Sequence, residues 1–123
     1  MIDLKLIYFA NIIVAGWIGI SSLFFPKTAI ATVFSNAYQP SELVRLVGAL
    51  WLAIALLSVL GLWKPITFSP VLLLQLFYKG GWLIVVALPA MLNGINYPKG
   101  MAVFFLIWVL VLPFLIPWKE WLN

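Results

Sequence analysis

Four long apolar segments, separated by short polar connections, dominate the chain. They lie at about residues 4–25, 41–63, 69–92 and 100–117. A transmembrane helix needs about 20 mostly apolar residues, with a range of roughly 17–25, to cross the hydrocarbon core of a bilayer. The segments therefore predict an all-α fold, a four-helix transmembrane bundle that forms a single integral membrane domain over residues 1–123.

Local signals agree with these boundaries. Pro26 ends the first segment, Ser41 and Ser69 are suited to N-cap positions, and Asn93-Gly94 is a C-terminal stop signal. The first apolar run is too long for a signal peptide and no small-residue cleavage site follows it, so we expect a first span there.

Glycine, alanine and proline predict local features inside the segments. Pro89 and Pro113 each predict a kink. Ala15 and Gly19 form a small-xxx-small pair on the first segment, and the adjacent glycines 80 and 81 lie in the third. Both pairs predict the close approach of a neighbouring helix.

The connection between the first two segments is too polar to span a membrane, yet its apolar residues keep helical spacing. Ile30, Val33, Phe34 and Ala37 recur at three- and four-residue steps. The stretch Lys27–Gln39 therefore predicts a short amphipathic helix in the membrane interface. A lid that folds over the mouth of the bundle is an open alternative.

The centre of the third segment carries a lysine. Lys79 lies roughly ten residues from either end, hence about 15 Å from water at the helical rise per residue. A lysine at that depth costs ~2.5–3.5 kcal/mol on insertion scales and needs a partner or a wet cavity. Gln75, Tyr78 and Trp82 share its helix face, because the four residues follow i, i+3, i+4 and i+7 spacing.

Three states of Lys79 are open. In the first, the amine is neutral and hydrogen-bonded to Tyr78, Gln75 or Asn11. In the second, it extends into a wet cavity between the helices. In the third, it meets an anionic group from a lipid, a small ligand or another subunit.

Further polar residues lie on the first and second segments. Asn11 is part of a polar face that serves either as a packing seam or as a ligand-binding surface. Glu42 and Arg45, three residues apart, can pair on one helix face, and Arg45 can also reach lipid phosphates. The candidate ligand- or partner-binding residues are Lys79, Tyr78, Gln75, Trp82, Arg45, Glu42 and Asn11.

Composition excludes several classes of function. The chain is 66% hydrophobic and 8% charged, too few charges for a water-facing surface. It contains no cysteine, no histidine and three acidic residues, so we expect no metal, no cofactor and no catalytic residue. The net charge of +4 is spread along the chain, so nucleic-acid binding has no support. Aromatic residues make up 16%, which suits core packing or a flat hydrophobic ligand such as a quinone or polyprenyl chain.

One stretch carries a family resemblance. Arg45-Leu-Val-Gly48-Ala49 opens the second segment, Gly61-Leu62 closes it, and a short proline turn leads to the segment with Tyr78-Lys79. In this order the chain resembles the DoxX-like group of small four-helix bacterial membrane proteins. Some members are similar to the small subunit of a thiosulfate:quinone oxidoreductase, but the absence of cysteine here argues against a sulfur-redox role.

These observations favour a non-enzymatic role. We expect a small accessory or scaffold subunit of a membrane complex, or a homo-oligomer, in contact with the lipid bilayer. The alternatives are intramembrane binding of a quinone, a lipid or another hydrophobic or anionic small molecule around Lys79, and a minimal transporter. The resemblance implies the bacterial inner membrane. Basic residues divide evenly between the two sides, so the preference for cytoplasmic termini is weak.

Overall fold

The computed structural model describes residues 2–38 and 41–122, and within these ranges the chain is helical almost throughout. The all-α prediction is confirmed. The helices are α1 (Ile2–Phe24), α2 (Pro26–Thr32), α3 (Glu42–Trp63), α4 (Pro70–Trp82), α5 (Leu88–Leu92), α6 (Lys99–Leu115) and α7 (Trp118–Leu122), with a π-helical turn at Leu83–Ala87 that joins α4 to α5.

Three of these helical rods are long and apolar enough to cross a membrane: α1, α3 and the continuous rod Pro70–Leu92. Helix α6 has 17 residues and is shorter, at about 25 Å. It stops at Leu115, before the predicted end at 117, because Ile116 precedes Pro117 and adopts an extended backbone (ψ 131°).

The distribution of polar side chains is the reverse of that in a soluble protein. Large apolar side chains cover the outer surface, for example Leu6, Phe77 and Phe114, which are 66%, 68% and 88% exposed. Polar side chains are buried instead, and they are Asn11, Ser21, Ser22, Ser58, Ser69, Gln75 and Lys79. A surface of this kind is stable against lipid and unstable against water.

Helices α1 and α3 form the tightest contact of the bundle. A Cβ atom added at Gly19 would lie 2.6 Å from the backbone nitrogen of Leu52, and one added at Gly48 would lie 2.6 Å from the backbone nitrogen of Leu23. The two backbones therefore touch directly, as small residues permit inside a membrane. The predicted role of Ala15 and Gly19 in a close helix contact is confirmed, since Ala15 is buried beside this crossing.

Tyr8 fixes the other end of the same helix pair. Its ring lies against Gly61, where an added Cβ would come within 2.6 Å of it, and its hydroxyl donates to the carbonyl oxygen of Pro65 at 2.6 Å. The side chain is fully buried. This contact ties α1 to the connection between α3 and α4.

The predicted helix Lys27–Gln39 is wrong in its length. Helix α2 ends at Thr32, and Ser35 and Asn36 adopt left-handed backbone conformations (φ 52° and 58°). The N–H of Asn36 then donates to the carbonyl of Ile30 at 2.7 Å, which closes the turn. Gln39 lies outside the described residues.

The segment after α2 folds inward, as the alternative of a lid suggests. Phe34 is buried, with its ring centroid 5.9 Å from that of Trp51 and 5.6 Å from that of Tyr38. These contacts place the segment over one end of the space between α3 and the rest of the bundle.

Ser41 and Ser69 occupy the predicted N-cap positions, but neither side chain makes a capping hydrogen bond. The hydroxyl of Ser69 instead donates to the carbonyl of Ile66 at 2.6 Å and accepts from Trp121 Nε1 at 3.0 Å. At the far end of the rod the predicted stop is confirmed, because Gly94 is left-handed (φ 68°) and the N–H of Ile95 donates to Ala90 at 2.9 Å.

The predicted close helix approach at Gly80 and Gly81 needs correction. Gly80 and Gly81 have no atom within 4 Å of an added Cβ, so no neighbouring helix of the described chain approaches there.

Pro89 lacks an N–H and crowds the carbonyl four residues earlier. The helix continues through it, and the wider π-helical turn Leu83–Ala87 lies just before it. Such turns inside α-helices often occur near functional sites.

The helices associate as two pairs, α1 with α3 and α4 with α6, whereas α3 and α4 touch only sparsely. The gap between α3 and the second pair leaves a groove along the bundle.

Candidate functional site

Lys79 lies inside the bundle, 5% exposed, in a cage of aromatic rings. Its Nζ is 4.9 Å from the ring centroids of Tyr78 and Phe105 and 5.7 Å from that of Trp108. It also donates a hydrogen bond to the Tyr78 hydroxyl at 3.1 Å. The rings come from α4 and α6, so the pairing of these two helices builds the cage.

The cage stabilises an ammonium group at this depth. A cation over an aromatic face gains ~2 kcal/mol or more when it is desolvated. Several such contacts, with one charge-assisted hydrogen bond, are comparable to the insertion cost of a lysine at the bilayer centre. Of the three open states, extension toward water does not fit this arrangement, since the amine is enclosed by rings.

Asn11 and Gln75 form the second part of the site. They exchange two hydrogen bonds, from Asn11 Nδ2 to Gln75 Oε1 at 2.8 Å and from Gln75 Nε2 to Asn11 Oδ1 at 3.1 Å. Trp108 Nε1 adds a bond to Asn11 Oδ1 at 3.3 Å. Both amides are 1% exposed, so this bridge joins α1, α4 and α6 through the bundle centre.

Tyr78 connects the lysine to the groove. Its hydroxyl oxygen accepts two hydrogen bonds, one from Lys79 Nζ and one from Trp51 Nε1 at 2.9 Å. Trp51 belongs to α3, so this bond spans the gap between the two helix pairs.

The groove itself is a long, almost entirely apolar cavity of about 670 Å³. Its walls are α3 on one side and α4 with α6 on the other, and the segment after α2 closes one end. The lining residues are Phe34, Tyr38, Ser41, Leu43, Val44, Val47, Leu50, Trp51, Ala53, Ile54, Leu57, Leu74, Tyr78, Trp82, Met101 and Phe105. Lys79 stands behind Tyr78 and Phe105 and is not part of this wall.

The structure brings together five of the seven candidate residues. Gln75, Lys79 and Asn11 lie in the polar centre, Tyr78 reaches both centre and groove, and Trp82 lines the groove with its ring 5.3 Å from that of Phe105.

Arg45 and Glu42 lie apart from this cluster, at the start of α3. They form the expected ion pair at 3.4 Å, and Arg45 Nε donates to the carbonyl of Leu23 at 3.0 Å. Arg45 therefore satisfies a carbonyl at the end of α1 that would otherwise lack a partner. Since both side chains are largely exposed, at 47% and 86%, their contacts are those of a helix end.

Sequence reasoning missed three members of the site, Trp51, Phe105 and Trp108. They lie on α3 and α6, whereas the prediction followed the spacing of residues along a single helix. The aromatic composition fits either core packing or a flat hydrophobic ligand, and the hydrogen bonds of Trp51 to Tyr78 and of Trp108 to Asn11 place these two side chains in the site.

The fold and the reversed distribution of polar groups define a class: the protein is a small helical integral membrane protein. No group of metal-ligating side chains occurs among the described residues. No protein-family model matches the chain, and no characterised protein or solved structure shows significant similarity to it.

Proposed function

We propose that the protein binds a lipophilic small molecule, such as a lipid or a quinone, inside the membrane. The apolar body of the molecule lies in the groove between α3 and the α4–α6 pair. Its polar end meets the Tyr78 hydroxyl, which Lys79 backs from the bundle centre.

One observation carries the proposal: the buried cluster of Asn11, Gln75 and Lys79 connects to the apolar groove through the Tyr78 hydroxyl. Ligand pockets typically combine an apolar wall with a few placed polar groups, and their volumes run from about 300 to 1,000 Å³. The groove, at about 670 Å³, is within this range. A purely structural seam between helices would have no need of a cavity of that size.

Native mass spectrometry of protein purified in mild detergent tests the proposal, because it reports bound small molecules directly. Ala53→Phe places a phenyl ring in the groove wall away from the polar cluster, and Leu56→Phe places the same side chain at an exposed position of α3 outside the groove. We expect a co-purifying lipophilic species that is lost in Ala53→Phe and kept in Leu56→Phe. Equal retention of that species in both variants would contradict the proposal.

A second candidate, an accessory subunit or a homo-oligomer, has one specific observation in its favour. Gly80 and Gly81 leave the backbone of α4 uncovered on an open face. A helix of another chain could approach it closely there. Cross-linking from a cysteine introduced at Gly81 tests this candidate, and an exclusively monomeric product would contradict it.

The assignment to the DoxX-like group, with an inner-membrane location, is likewise a proposal. The Arg45 to Ala49 start of α3 and the position of Lys79 in the following rod support it.

A further inference from the structure

We propose that the ligand carries an anionic carboxylate and that the Tyr78 hydroxyl donates a hydrogen bond to it while Lys79 supplies the opposite charge. The inference rests on the proposed function and specifies the chemical class of the ligand as a long-chain aliphatic carboxylate.

The first argument is the surplus of hydrogen-bond donors in the polar cluster. A lysine amine carries two N–H donors when neutral and three when charged, and Lys79 uses one of them on Tyr78. The hydroxyl oxygen of Tyr78 already accepts from Lys79 and Trp51, so its own proton remains to be donated. The oxygen of Asn11 is occupied by Gln75 and Trp108, and that of Gln75 accepts from Asn11. An acceptor supplied by a ligand in the groove would take the Tyr78 proton.

The second argument is charge. Among the side chains that the structure describes, the carboxylates are those of Glu42 and Glu120, and both are exposed. Glu42 is already paired with Arg45 at the end of α3. Lys79 thus has no counter-charge in the described part of the chain. Aromatic faces reduce the cost of that charge, but an anion would neutralise it, and in a low-dielectric interior this difference is large.

The third argument is the position of Tyr78 between the charge and the groove. Lys79 does not line the groove, so it acts on a ligand through Tyr78. A hydroxyl that accepts a bond from an ammonium becomes a stronger donor itself, because bonds in such a chain polarise one another. Tyr78 is therefore the binding residue and Lys79 a positioning residue that favours an anionic acceptor. The apolar walls around Tyr78 accommodate the aliphatic chain.

Three brominated probes separate the contribution of the charged head group to binding from that of the aliphatic chain. They are dibromostearate, its methyl ester and dibromooctadecane. Bromine quenches tryptophan fluorescence at close range, and Trp51 and Trp82 lie in the groove wall. Saturable quenching is measured with the full chain in lipid nanodiscs, for the wild type, Tyr78→Phe and Lys79→Met. Ala53→Phe and Leu56→Phe are the blocked and unblocked controls. Dibromooctadecane, which has no head group, also reports whether each variant keeps an intact groove.

We expect the wild type to bind dibromostearate about tenfold or more tightly than its methyl ester, the usual effect of one charge-assisted hydrogen bond. Both Tyr78→Phe and Lys79→Met should abolish that preference while dibromooctadecane still quenches. Equal affinity for the acid and the ester in the wild type would overturn the carboxylate assignment and leave a groove that binds neutral lipids. A preference unchanged in both variants would also overturn it. No saturable quenching by any probe would refute the proposed function itself.

Discussion

Gly48→Ala tests the backbone contact between α1 and α3. The added Cβ would lie 2.6 Å from the backbone nitrogen of Leu23 and 2.9 Å from the backbone carbon of Ser22. Ordinary van der Waals contact begins at 3.4 Å, so the helices must separate by about 0.8 Å, the difference between 3.4 and 2.6 Å. The obstructing atoms are backbone atoms, which cannot rotate away.

Overpacking of this kind typically costs about 1–3 kcal/mol. The cost should appear in the free energy of unfolding, measured by denaturant titration of the purified protein in mixed micelles. Gly80→Ala is the matched control, since its Cβ would have no neighbour within 4 Å and alanine is the better helix former by ~1 kcal/mol. Both variants gain the helix propensity of alanine, so we expect Gly48→Ala to be less stable than Gly80→Ala by the overpacking cost alone. A Gly48→Ala protein as stable as Gly80→Ala would refute the backbone contact at this crossing.

The remaining predictions concern the interior polar groups. Asn11→Leu should cost about 1–3 kcal/mol in the free energy of unfolding because it leaves the buried Gln75 amide unpaired. Adding Gln75→Leu should restore part of the loss. If the costs of the two substitutions instead add up in the double variant, the bridge between the two amides is contradicted. Lys79→Met should change thermal stability little, because the lost contacts with the aromatic cage offset the removed desolvation cost. A severe loss of thermal stability would contradict this balance. Tyr8→Phe should cost about 1 kcal/mol through the lost bond to the Pro65 carbonyl, and an unchanged unfolding midpoint would show that this bond contributes nothing.

Much of the fold follows directly from the sequence. Long apolar segments can satisfy their backbone polar groups in a membrane only as helices or closed barrels, so segment length alone predicts the all-α architecture. The stop at Gly94 is also local, since glycine adopts a left-handed backbone without steric cost. The burial of Lys79 and Gln75 could be expected from their shared helix face and from the cost of exposing either to lipid.

Two local predictions were wrong, and one correctly placed cap lacks its hydrogen bond; the contacts involved are not local. Helix α2 stops at Thr32, where the following segment turns inward and Phe34 packs against Trp51. Ser69 occupies its predicted N-cap position without a capping hydrogen bond, and its hydroxyl accepts from Trp121, far away in sequence. Gly80 and Gly81 lie on an open face, since α6 packs on the opposite side with Lys79.

The candidate site likewise has one part that follows from the sequence of a single helix and one part that depends on the packing of several helices. Helical periodicity is a property of a single segment, so the shared face of Gln75, Tyr78 and Lys79 on α4 is predictable from the chain. The meeting of Trp51 and Asn11 with that face, and the distance of α3 from α4 that leaves a groove, depend on how the helices pack. Helix packing in a membrane depends on how closely backbones can approach, and that depends on pairs of residues such as Gly19 and Leu52 that no single-helix pattern connects.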